Sequence, residues 1–580
     1  MRKSIATVSV SGSLAEKLEA IAAAGFDGVE VFENDLLVTS MTPEDVRAKA
    51  ADLGLGIDLY QPFRDFEAVP PDALARNLRR AEHKFRTMRR LGADLLLVCS
   101  NVSPSAIGDD ALAAEQLRLL ADRAAEHGIR IAYEALAWGR HVNEYLHAWR
   151  IVRLADHPNL GTCLDSFHIL SRGSDPIGIE AIPGEKIFFL QLADAPLLAM
   201  DVLQWSRHYR CFPGQGNFDL ARLVEHALNA GYAGPLSLEV FNDVFRQADT
   251  RRTALDGMRS LLALEQDLDG AGQPVAPTGF AFAELAGDTG SLGEVLTALG
   301  FARTGRHPTK PVELWEQGGA RLLLNATGAD PALVAIGLDS QDPKSAAEHA
   351  ESLLSPVLPR ERAPEEARLD AVGAPDGTEI FFCDDSWLSD FAPDAPDGRG
   401  AGEITGIDHV ALTQPWHHFD EAALFYRTVL GLRPQGSLEV PDPYGLLRSK
   451  AMSAPHGAVR MVVNVAHVGT GDGTGDVPWQ HVALACGDLV AVARRLRSEH
   501  PELLLPIPGN YYDDLEARHE VDPELRRLGV LHDRDEHGGE FLHLYTVTLG
   551  RVFFELVQRV NGYQGYGAGN APIRLAVQHA

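Results

Sequence analysis

Four strand-like segments in the N-terminal half of the chain each carry one oxygen-donor side chain near the end of an apolar run. They are Glu134 in IAYEAL, Asp165 in TCLDSFH, Gln191 in FFLQLAD and Glu239 in LSLEVFN. An ionised carboxylate within an apolar strand is costly unless an opposite charge or a metal compensates it. Each residue alone could equally be a solvated strand end. Together, as hard oxygen donors without a cysteine, they predict a site for Mg²⁺, Mn²⁺ or Co²⁺.

A second set of candidate ligands lies near the C-terminus. It comprises His409 in GIDHVAL, His481 in WQHVALAC and Glu555 in RVFFELVQR. Two histidines and one carboxylate on separate strands form the facial triad typical of non-haem Fe(II) sites, although a single histidine in a strand is usually structural. An earlier, similar segment, GFAFAEL, has Phe282 in place of His409. We therefore expect one C-terminal site, for Fe²⁺ or another divalent metal.

The elements around the first set predict a (β/α)8 TIM barrel over residues 1–265. Eight strand-like runs, from SIATVSV to PLSLEVFND, alternate with amphipathic stretches that have apolar residues at helical spacing. A doubly wound open sheet is the competing fold, but no Gly-rich phosphate loop follows the first strand. In a barrel the C-terminal strand ends meet at one face, which would bring the four oxygen donors together.

The remainder of the chain predicts a second, α+β domain. Residues 266–277 are polar and rich in Gly and Pro, which indicates a linker. Beyond them, GFAFAELAG and GIDHVALTQP each begin a similar succession of strand, helix and further strands. This self-similarity predicts two βαβββ modules, over residues 278–400 and 401–580, of which only the second has metal ligands.

Composition excludes several classes of partner. The 580 residues carry a formal net charge of −29, which argues against nucleic acid and anionic membranes. The five cysteines are scattered and odd in number, so a reducing cytoplasm is expected. No segment is long and apolar enough to span a membrane, and the N-terminal apolar run is short for a signal peptide. We expect a small-molecule substrate, and the sequence leaves a homo-oligomer open.

The N-terminal half resembles the sugar phosphate isomerase/epimerase-like barrels, which share a Glu, Asp, His or Gln, Glu pattern on strands five to eight. The stretches LYQPFRDFE and CLDSFHIL are similar to bacterial 3-dehydroshikimate dehydratases. The resemblance implies a metal-dependent hydro-lyase that forms protocatechuate and water in quinate and shikimate catabolism. An isomerase or epimerase acting on a polyol or keto sugar is the alternative for the barrel.

A dehydratase needs proton transfer and a grip on the substrate carboxylate. His168, three residues after Asp165, can act as acid or base near neutrality, and with Glu134 and Glu239 it forms the predicted catalytic set. We expect His168 on a loop above the metal. Arginine suits a carboxylate because it binds bidentately. The predicted substrate-binding residues are Tyr60, at the end of strand three, and the loop residues Arg64, His208 and Arg210.

The C-terminal half resembles 4-hydroxyphenylpyruvate dioxygenases of the vicinal oxygen chelate superfamily. The similarity is strongest in LRSKAMSAPHGAVRMVVN, GVLHDRD and GYQGYGAGN. It implies that His409, His481 and Glu555 are iron ligands. His543 departs from the pattern, because the dioxygenases usually carry glutamine there. Two alternatives remain: this oxygenase could be the main activity, or the C-terminal half could be a binding or dimerising module.

Overall fold

The computed structural model describes residues 1–270, 276–328, 330–394, 402–443, 445–465 and 479–579. The chain divides into two compact units, residues 1–272 and 273–580. The last helix of the first unit, Thr250–Leu268, extends three residues into the range predicted as linker. The middle of that range, residues 271–275, lies outside the described residues, as does the predicted module boundary at residues 400 and 401.

The first unit contains a closed barrel of eight parallel strands in chain order, which confirms the predicted fold. The first strand is shorter than predicted, because Thr7–Ser9 forms a 3₁₀ turn. The strands are β1 Lys3–Ala6, β2 Gly28–Phe32, β3 Gly56–Phe63, β4 Leu95–Cys99, β5 Arg130–Glu134, β6 Leu160–Asp165, β7 Ile187–Leu192 and β8 Leu236–Leu238.

Ten helices accompany the barrel strands in the described residues, and local signals explain their ends. Ser13 and Glu16 form a reciprocal capping box at the start of the first helix. Gly92 ends the fourth at a φ of 84°, which a side chain would disfavour. The helices are α1 Leu14–Ala23, α2 Glu33–Val38, α3 Pro43–Asp52, α4 Pro71–Leu91, α5 Asp110–Glu126, α6 Tyr145–Ala155, α7 Ser166–Leu170, α8 Val202–His208, α9 Leu220–Asn229 and α10 Thr250–Leu268.

Strand register determines which polar residues meet at the C-terminal end of the barrel. Asp165 lies opposite Gln191 in the β6–β7 pair, and Cys99 lies opposite Glu134 in the β4–β5 pair. Buried apolar side chains such as Leu95 and Ala132 pack in the same unit. The polar residues therefore lie in surroundings of low polarity, which strengthens electrostatic interactions among them.

The second unit begins with an eight-stranded sheet in the order β14-β15-β13-β9-β12-β11-β10-β16. Its helices are α11 Thr289–Leu299 and α12 Pro343–Ser352. Its strands are β9 Gly279–Ala286, β10 Ala302–Arg306, β11 Val312–Gln317, β12 Ala320–Asn325, β13 Ala332–Asp339, β14 Asp370–Gly373, β15 Glu379–Cys383 and β16 Ala392–Pro393.

A second eight-stranded sheet follows, in the order β18-β19-β20-β17-β21-β24-β23-β22. Its helices are α13 Phe419–Thr428, α14 Leu489–Glu499, α15 Gly509–Arg518, α16 Pro523–Leu528 and α17 Ala571–Gln578. Its strands are β17 Ile404–Gln414, β18 Arg433–Asp442, β19 Gly445–Ser453, β20 Arg460–Val465, β21 Gln480–Cys486, β22 Leu531–Arg534, β23 Glu540–Tyr545 and β24 Val552–Val560.

The two sheets share one pairing pattern, which confirms the predicted pair of modules. In the first, β9 pairs in parallel with β12 and antiparallel with β13, which pairs in parallel with β15. In the second, β17 pairs likewise with β20 and β21, and β21 with β24. The predicted βαβββ unit accounts for the first half of each sheet, and the remaining strands extend it.

Two further features bear on the environment of the chain. All five cysteines are free and buried. Within the described ranges, no helix combines the length and apolar character needed to cross a membrane.

Candidate functional site

A cavity of about 510 Å³ opens at the C-terminal ends of the barrel strands. Its wall includes Glu134 at the end of β5 and Glu239 directly after β8. His168 and Arg210 also line it. This is the position at which barrels of this type hold their active sites, and the predicted catalytic set lies together here.

Glu134, Asp165 and His168 form a tight buried cluster. One potential ligand atom of each lies within 4.8 Å of the others. Nε2 of His168 is 3.8 Å from Oε1 of Glu134 and 3.8 Å from Oδ2 of Asp165. Oε1 of Glu134 is buried without a hydrogen-bond partner in the described part of the chain. A buried carboxylate oxygen without a donor is costly, so this atom is suited to a cation.

Arg210 links two of the predicted metal ligands. Its Nη1 donates to Oδ2 of Asp165 at 2.7 Å and to Oε2 of Glu239 at 3.1 Å. The guanidinium also donates to Oγ of Ser206 and lies over the ring of Phe167. Arg210 is buried and neutralises part of the charge of these carboxylates, and its role in binding substrate stays a prediction.

Gln191 lies just beneath the cavity and is not part of its wall. Its Nε2 donates to Oε2 of Glu30 at 2.6 Å, and its Oε1 accepts from Cys163 at 3.3 Å. Glu30 also accepts hydrogen bonds from Gln61 and Ser237. Glu30 therefore anchors the amide nitrogen of Gln191. Its position in GVEVFE, a glutamate inside an apolar strand, is the same signal as that of Glu134, and the sequence analysis missed it.

The carboxylates and His168 have shifted pKa values. Burial, together with the neighbouring Asp165 and Glu239, raises the pKa of Glu134 well above its usual value. Burial raises the pKa of Glu239 to about 7, although Arg210 opposes this shift. Burial also lowers the pKa of His168 to about 3, so its imidazole is neutral near pH 7. The floor of the cavity thus disfavours charge of either sign unless a partner balances it.

The donor set fits a hard divalent cation. Glu134, Asp165 and Glu239 offer carboxylate oxygens, and Gln191 offers an amide oxygen from the strand beside Asp165. Oxygen donors of this kind suit Mg²⁺, Mn²⁺ or Co²⁺. Two structural observations favour such an ion: Oε1 of Glu134 is buried without a hydrogen-bond partner in the described residues, and several carboxylates are buried close together.

His168 belongs to a helix and not to the loop that we expected. It lies in α7, which begins directly after Asp165, and the Asp165 side chain caps that helix by accepting from the His168 backbone N–H at 3.0 Å. The Ala137 backbone N–H donates to Nδ1 of the His168 ring at 3.2 Å. Nδ1 is therefore the acceptor nitrogen of the neutral ring, and Nε2, which faces the carboxylates, carries the ring proton.

The other predicted substrate contacts differ in their placement. Arg64 and His208 line the cavity. Arg64 has no carboxylate within ion-pair distance among the described residues, whereas His208, the last residue of α8 and not a loop residue, binds Asp243 at 2.8 Å. Tyr60 lies inside β3, not at its end; it is buried, outside the cavity wall, and donates to Glu33 at 3.1 Å.

The second predicted site is also assembled in the structure. Oε2 of Glu555 lies 3.2 Å from Nε2 of His409 and 3.1 Å from Nε2 of His481. The three residues sit on β17, β21 and β24, which are neighbours in the sheet, and all are buried. Three convergent ligand atoms at these distances match the 2-His-1-carboxylate arrangement.

Neighbouring side chains orient this triad. Nδ1 of His409 contacts Oδ1 of Asp408 at 2.8 Å, and Arg559 holds both Asp408 oxygens at 2.7 and 2.8 Å. His409 therefore directs Nε2 towards the other ligands. Such outer partners fix ring orientation in metal sites. Asp408 adjoins His409 in the sequence, but its pairing with Arg559 depends on the fold.

His543, the departure from the dioxygenase pattern, supports the third ligand. Nδ2 of Asn570 donates to Nε2 of His543 at 2.9 Å, so Nδ1 carries the ring proton and donates to Oε1 of Glu555 at 2.7 Å. Oε2 of Glu555 then remains for a metal. Hydrogen bonds from the three histidines outweigh burial and hold the pKa of Glu555 well below its usual value.

Comparison with known proteins decides the family. The chain is 47% identical to a 3-dehydroshikimate dehydratase of Pseudomonas aeruginosa, over 99% of this chain and 98% of that protein. The chain belongs to this family of 3-dehydroshikimate dehydratases. Family models also match residues 18–264 as a xylose isomerase-like TIM barrel and residues 272–386 as the N-terminal domain of hydroxyphenylpyruvate dioxygenase.

Two further matches extend over the C-terminal half. A solved structure described as a xylose isomerase-like TIM barrel/4-hydroxyphenylpyruvate dioxygenase fusion protein has a TM-score of 0.91 and 44% identity, and covers 100% of this chain and 99% of that one. A 4-hydroxyphenylpyruvate dioxygenase of Pseudomonas sp. is 29% identical over 51% of this chain and 92% of its own length. The C-terminal half of the chain is thus similar to a protein that the chain covers over most of its length.

Proposed function

We propose that the barrel unit dehydrates 3-dehydroshikimate to protocatechuate and water, as a metal-dependent hydro-lyase. The observation that carries the proposal is the cavity floor, where hard oxygen donors, His168 and Arg210 converge. The family to which the chain belongs supports this reaction over isomerisation of a sugar or polyol. The matching relative is named a 3-dehydroshikimate dehydratase, and the match covers 98% of its length.

The metal would be held by Glu134, Asp165, Gln191 and Glu239. When bound, it would polarise the substrate ketone and so acidify the adjacent C–H group. We propose Mg²⁺, Mn²⁺ or Co²⁺ because all four donors are oxygens.

The side chains around this position supply proton transfer and substrate binding. Nδ1 of the neutral His168 ring accepts from the Ala137 N–H, so Nε2 carries the ring proton and donates it towards the departing hydroxyl. Arg64, which has no ion-pair partner in the described ranges, binds the substrate carboxylate. Arg210 stabilises negative charge that develops on the substrate, as a buried cation of fixed position.

The deciding experiment uses purified protein stripped of metal and then reloaded. Incubation with 3-dehydroshikimate should yield the catechol product only after Mg²⁺, Mn²⁺ or Co²⁺ is restored, and the Glu239→Ala variant should neither bind metal in the barrel nor turn over. Full activity of the stripped protein would contradict the metal requirement. A rearranged keto acid in place of the catechol would favour the isomerase alternative.

We propose in addition that His409, His481 and Glu555 bind Fe²⁺ or another divalent metal. Their contacts of 3.1 to 3.2 Å about one carboxylate oxygen support this site. Metal analysis of the wild-type chain and of His481→Ala, each after Fe²⁺ loading and desalting, tests the proposal. Equal metal content in the two proteins would rule out the triad as a binding site.

A further inference from the structure

The triad has a counterpart position in the first sheet of the C-terminal unit. Strand register defines the triad in the second sheet. His409 lies opposite Ala483, which lies opposite Glu555 on the next strand. Two residues further along the same strand pair, Ala411 lies opposite His481. These relations can be transferred to the first sheet because its strands pair in the same pattern.

Three apolar residues occupy the equivalent positions. Phe282, which aligns with the first histidine, lies opposite Gly337, which lies opposite Phe381. Glu284, two residues after Phe282, lies opposite Ala335. Phenylalanine, alanine and phenylalanine therefore stand where the second sheet has histidine, histidine and glutamate. These three positions of the first sheet therefore hold no metal ligand.

The position is nevertheless hollow. A cavity of about 220 Å³ lies over Phe282 and Phe381, with Trp387 and Phe391 also in its wall. The ring of Phe282 lies 5.7 Å from that of Phe381 and 5.0 Å from that of Trp387. An engineered apolar cavity of about 150 Å³ is enough to bind benzene. The space thus suits one substituted aromatic ring, packed against other rings.

A cation stands at the edge of this cavity. The guanidinium of Arg360 lies 4.5 Å from the centroid of the Phe381 ring. Arg360 is exposed, and no carboxylate of the described residues lies within ion-pair distance of it. An arginine in this state can bind a carboxylate bidentately.

The acidic residues of the wall do not cancel this cation. Glu366 is bound to Lys310 at 2.6 Å, and Asp390 accepts from the Ala367 backbone N–H. Glu361 is exposed, so water screens its charge. Burial raises the pKa of Glu284, which accepts from Asn325 at 2.7 Å.

We propose that the first module of the C-terminal unit is a metal-free binding site for a small aromatic carboxylate. The ligand ring would pack against Phe282, Phe381 and Trp387, and its carboxylate would pair with Arg360. This binding site is proposed independently of the reaction proposed for the barrel. One extension rests on the proposed function: protocatechuate, the product proposed for the barrel, is an acid of this class and a candidate physiological ligand.

Calorimetric titration of the full chain with benzoate tests the site. The titrated protein carries Arg64→Gln and His481→Ala, so that the barrel and the triad do not contribute. We expect one benzoate per chain, and about tenfold or greater weakening when Arg360→Gln is added, because a charge-assisted pair is lost. Arg368→Gln is the matched control: it changes a nearby exposed arginine that binds Asp370 outside the cavity, and affinity should be unchanged.

Two ligand controls define the chemistry. Cyclohexanecarboxylate keeps the charge without the aromatic ring and should bind more weakly, whereas benzylamine reverses the charge and should not bind. Absence of benzoate binding at millimolar concentration, equal affinity in Arg360→Gln, or tighter binding of benzylamine would overturn the proposal. Benzoate binding is measured without turnover, so its outcome is independent of whether the barrel forms protocatechuate.

Discussion

The carboxylates at the floor of the barrel cavity are buried, and their negative charge is unfavourable there without a compensating cation. Glu134 ends a buried strand, its Oε1 has no hydrogen-bond partner in the described structure, and two further carboxylates lie close to it. One buried arginine offsets part of this negative charge. Breaking a buried charge cluster by removing one member is strongly destabilising. Substitutions here should therefore be assessed for folding as well as for turnover.

Replacement of His168 tests proton transfer. His168→Ala should lower turnover by about 10²–10⁴-fold, since a positioned acid or base contributes this much. Metal content should not change, because the proposed donors are all oxygens. His208→Ala is the comparison, since His208 lines the same cavity and is partly exposed; its loss should have a smaller effect. Normal turnover in His168→Ala, measured by product absorbance, would reduce His168 to a packing residue.

Glu30 should tune the metal site through Gln191. Glu30→Ala frees the Gln191 amide from its anchor and should weaken metal binding about 10- to 100-fold, the usual cost of losing such a partner. Metal titration of the stripped protein measures the change. Glu67→Ala controls for general destabilisation, because Glu67 is a buried carboxylate bound to Tyr133 and Asn101. Equal loss of affinity in both variants would remove the specific role of Glu30.

At the scale of elements, strand register and strand ends bring the functional atoms together. Asp165 is both the last residue of β6 and the N-cap residue of α7. The cap holds its carboxylate at the strand end and begins the helix that carries His168. A capping aspartate contributes about 1 kcal/mol to a helix, so the same contact stabilises the fold and orients a ligand.

The sequence was most informative where strand ends carry charge. Eight strand-like runs that alternate with helical stretches predicted the barrel. The seven metal ligands proposed for the two sites were each identified as a donor side chain within an apolar, strand-like run. The surroundings of those ligands could not be predicted. The pairing of Arg210 with Asp165 and Glu239 joins three distant segments, and the contact between His543 and Glu555 depends on the register of β23 and β24. Tertiary placement, not local pattern, decides both.

His543 provides a test at this scale, because it acts across a strand pair. His543→Ala should weaken metal binding at the triad about 10- to 100-fold, since Oε1 of Glu555 loses its donor. His532→Ala is a suitable control: it lies on the adjoining strand β22 and contacts Glu540, outside the triad. Metal content after Fe²⁺ loading gives the readout. If the two variants retain equal metal, His543 has no part in the site.

At the scale of the whole molecule, the chain has two compact units with separate candidate sites. Every described barrel ligand precedes residue 272, and every triad residue follows it. Helix α10 closes the first unit by bringing Glu265 to Lys3 on β1 at 2.6 Å. A truncation at Asp267 would cut inside this helix, so the boundary suggested by the structure is Gly272.

A chain ended at Gly272 should therefore keep measurable dehydratase activity, because all proposed catalytic residues and the whole of α10 remain. His481→Ala in the full chain should lose metal from the triad and leave dehydration nearly unchanged. Product formation by both proteins, with circular dichroism to establish folding, provides the test. Loss of dehydration in a folded His481→Ala protein would mean that the two sites are coupled.

The burial of every cysteine gives each unit an internal reporter of opening. Burial raises the pKa of Cys163 in the barrel and of Cys486 in the second sheet, the latter to about 12. A thiol must be ionised and accessible to be alkylated, so these groups should react only when the surrounding unit opens. Pulsed alkylation in rising denaturant, read peptide by peptide in a mass spectrometer, would then yield a separate unfolding curve for each unit. Coincident curves would mean one cooperative transition, and separated curves would rank the two units by stability.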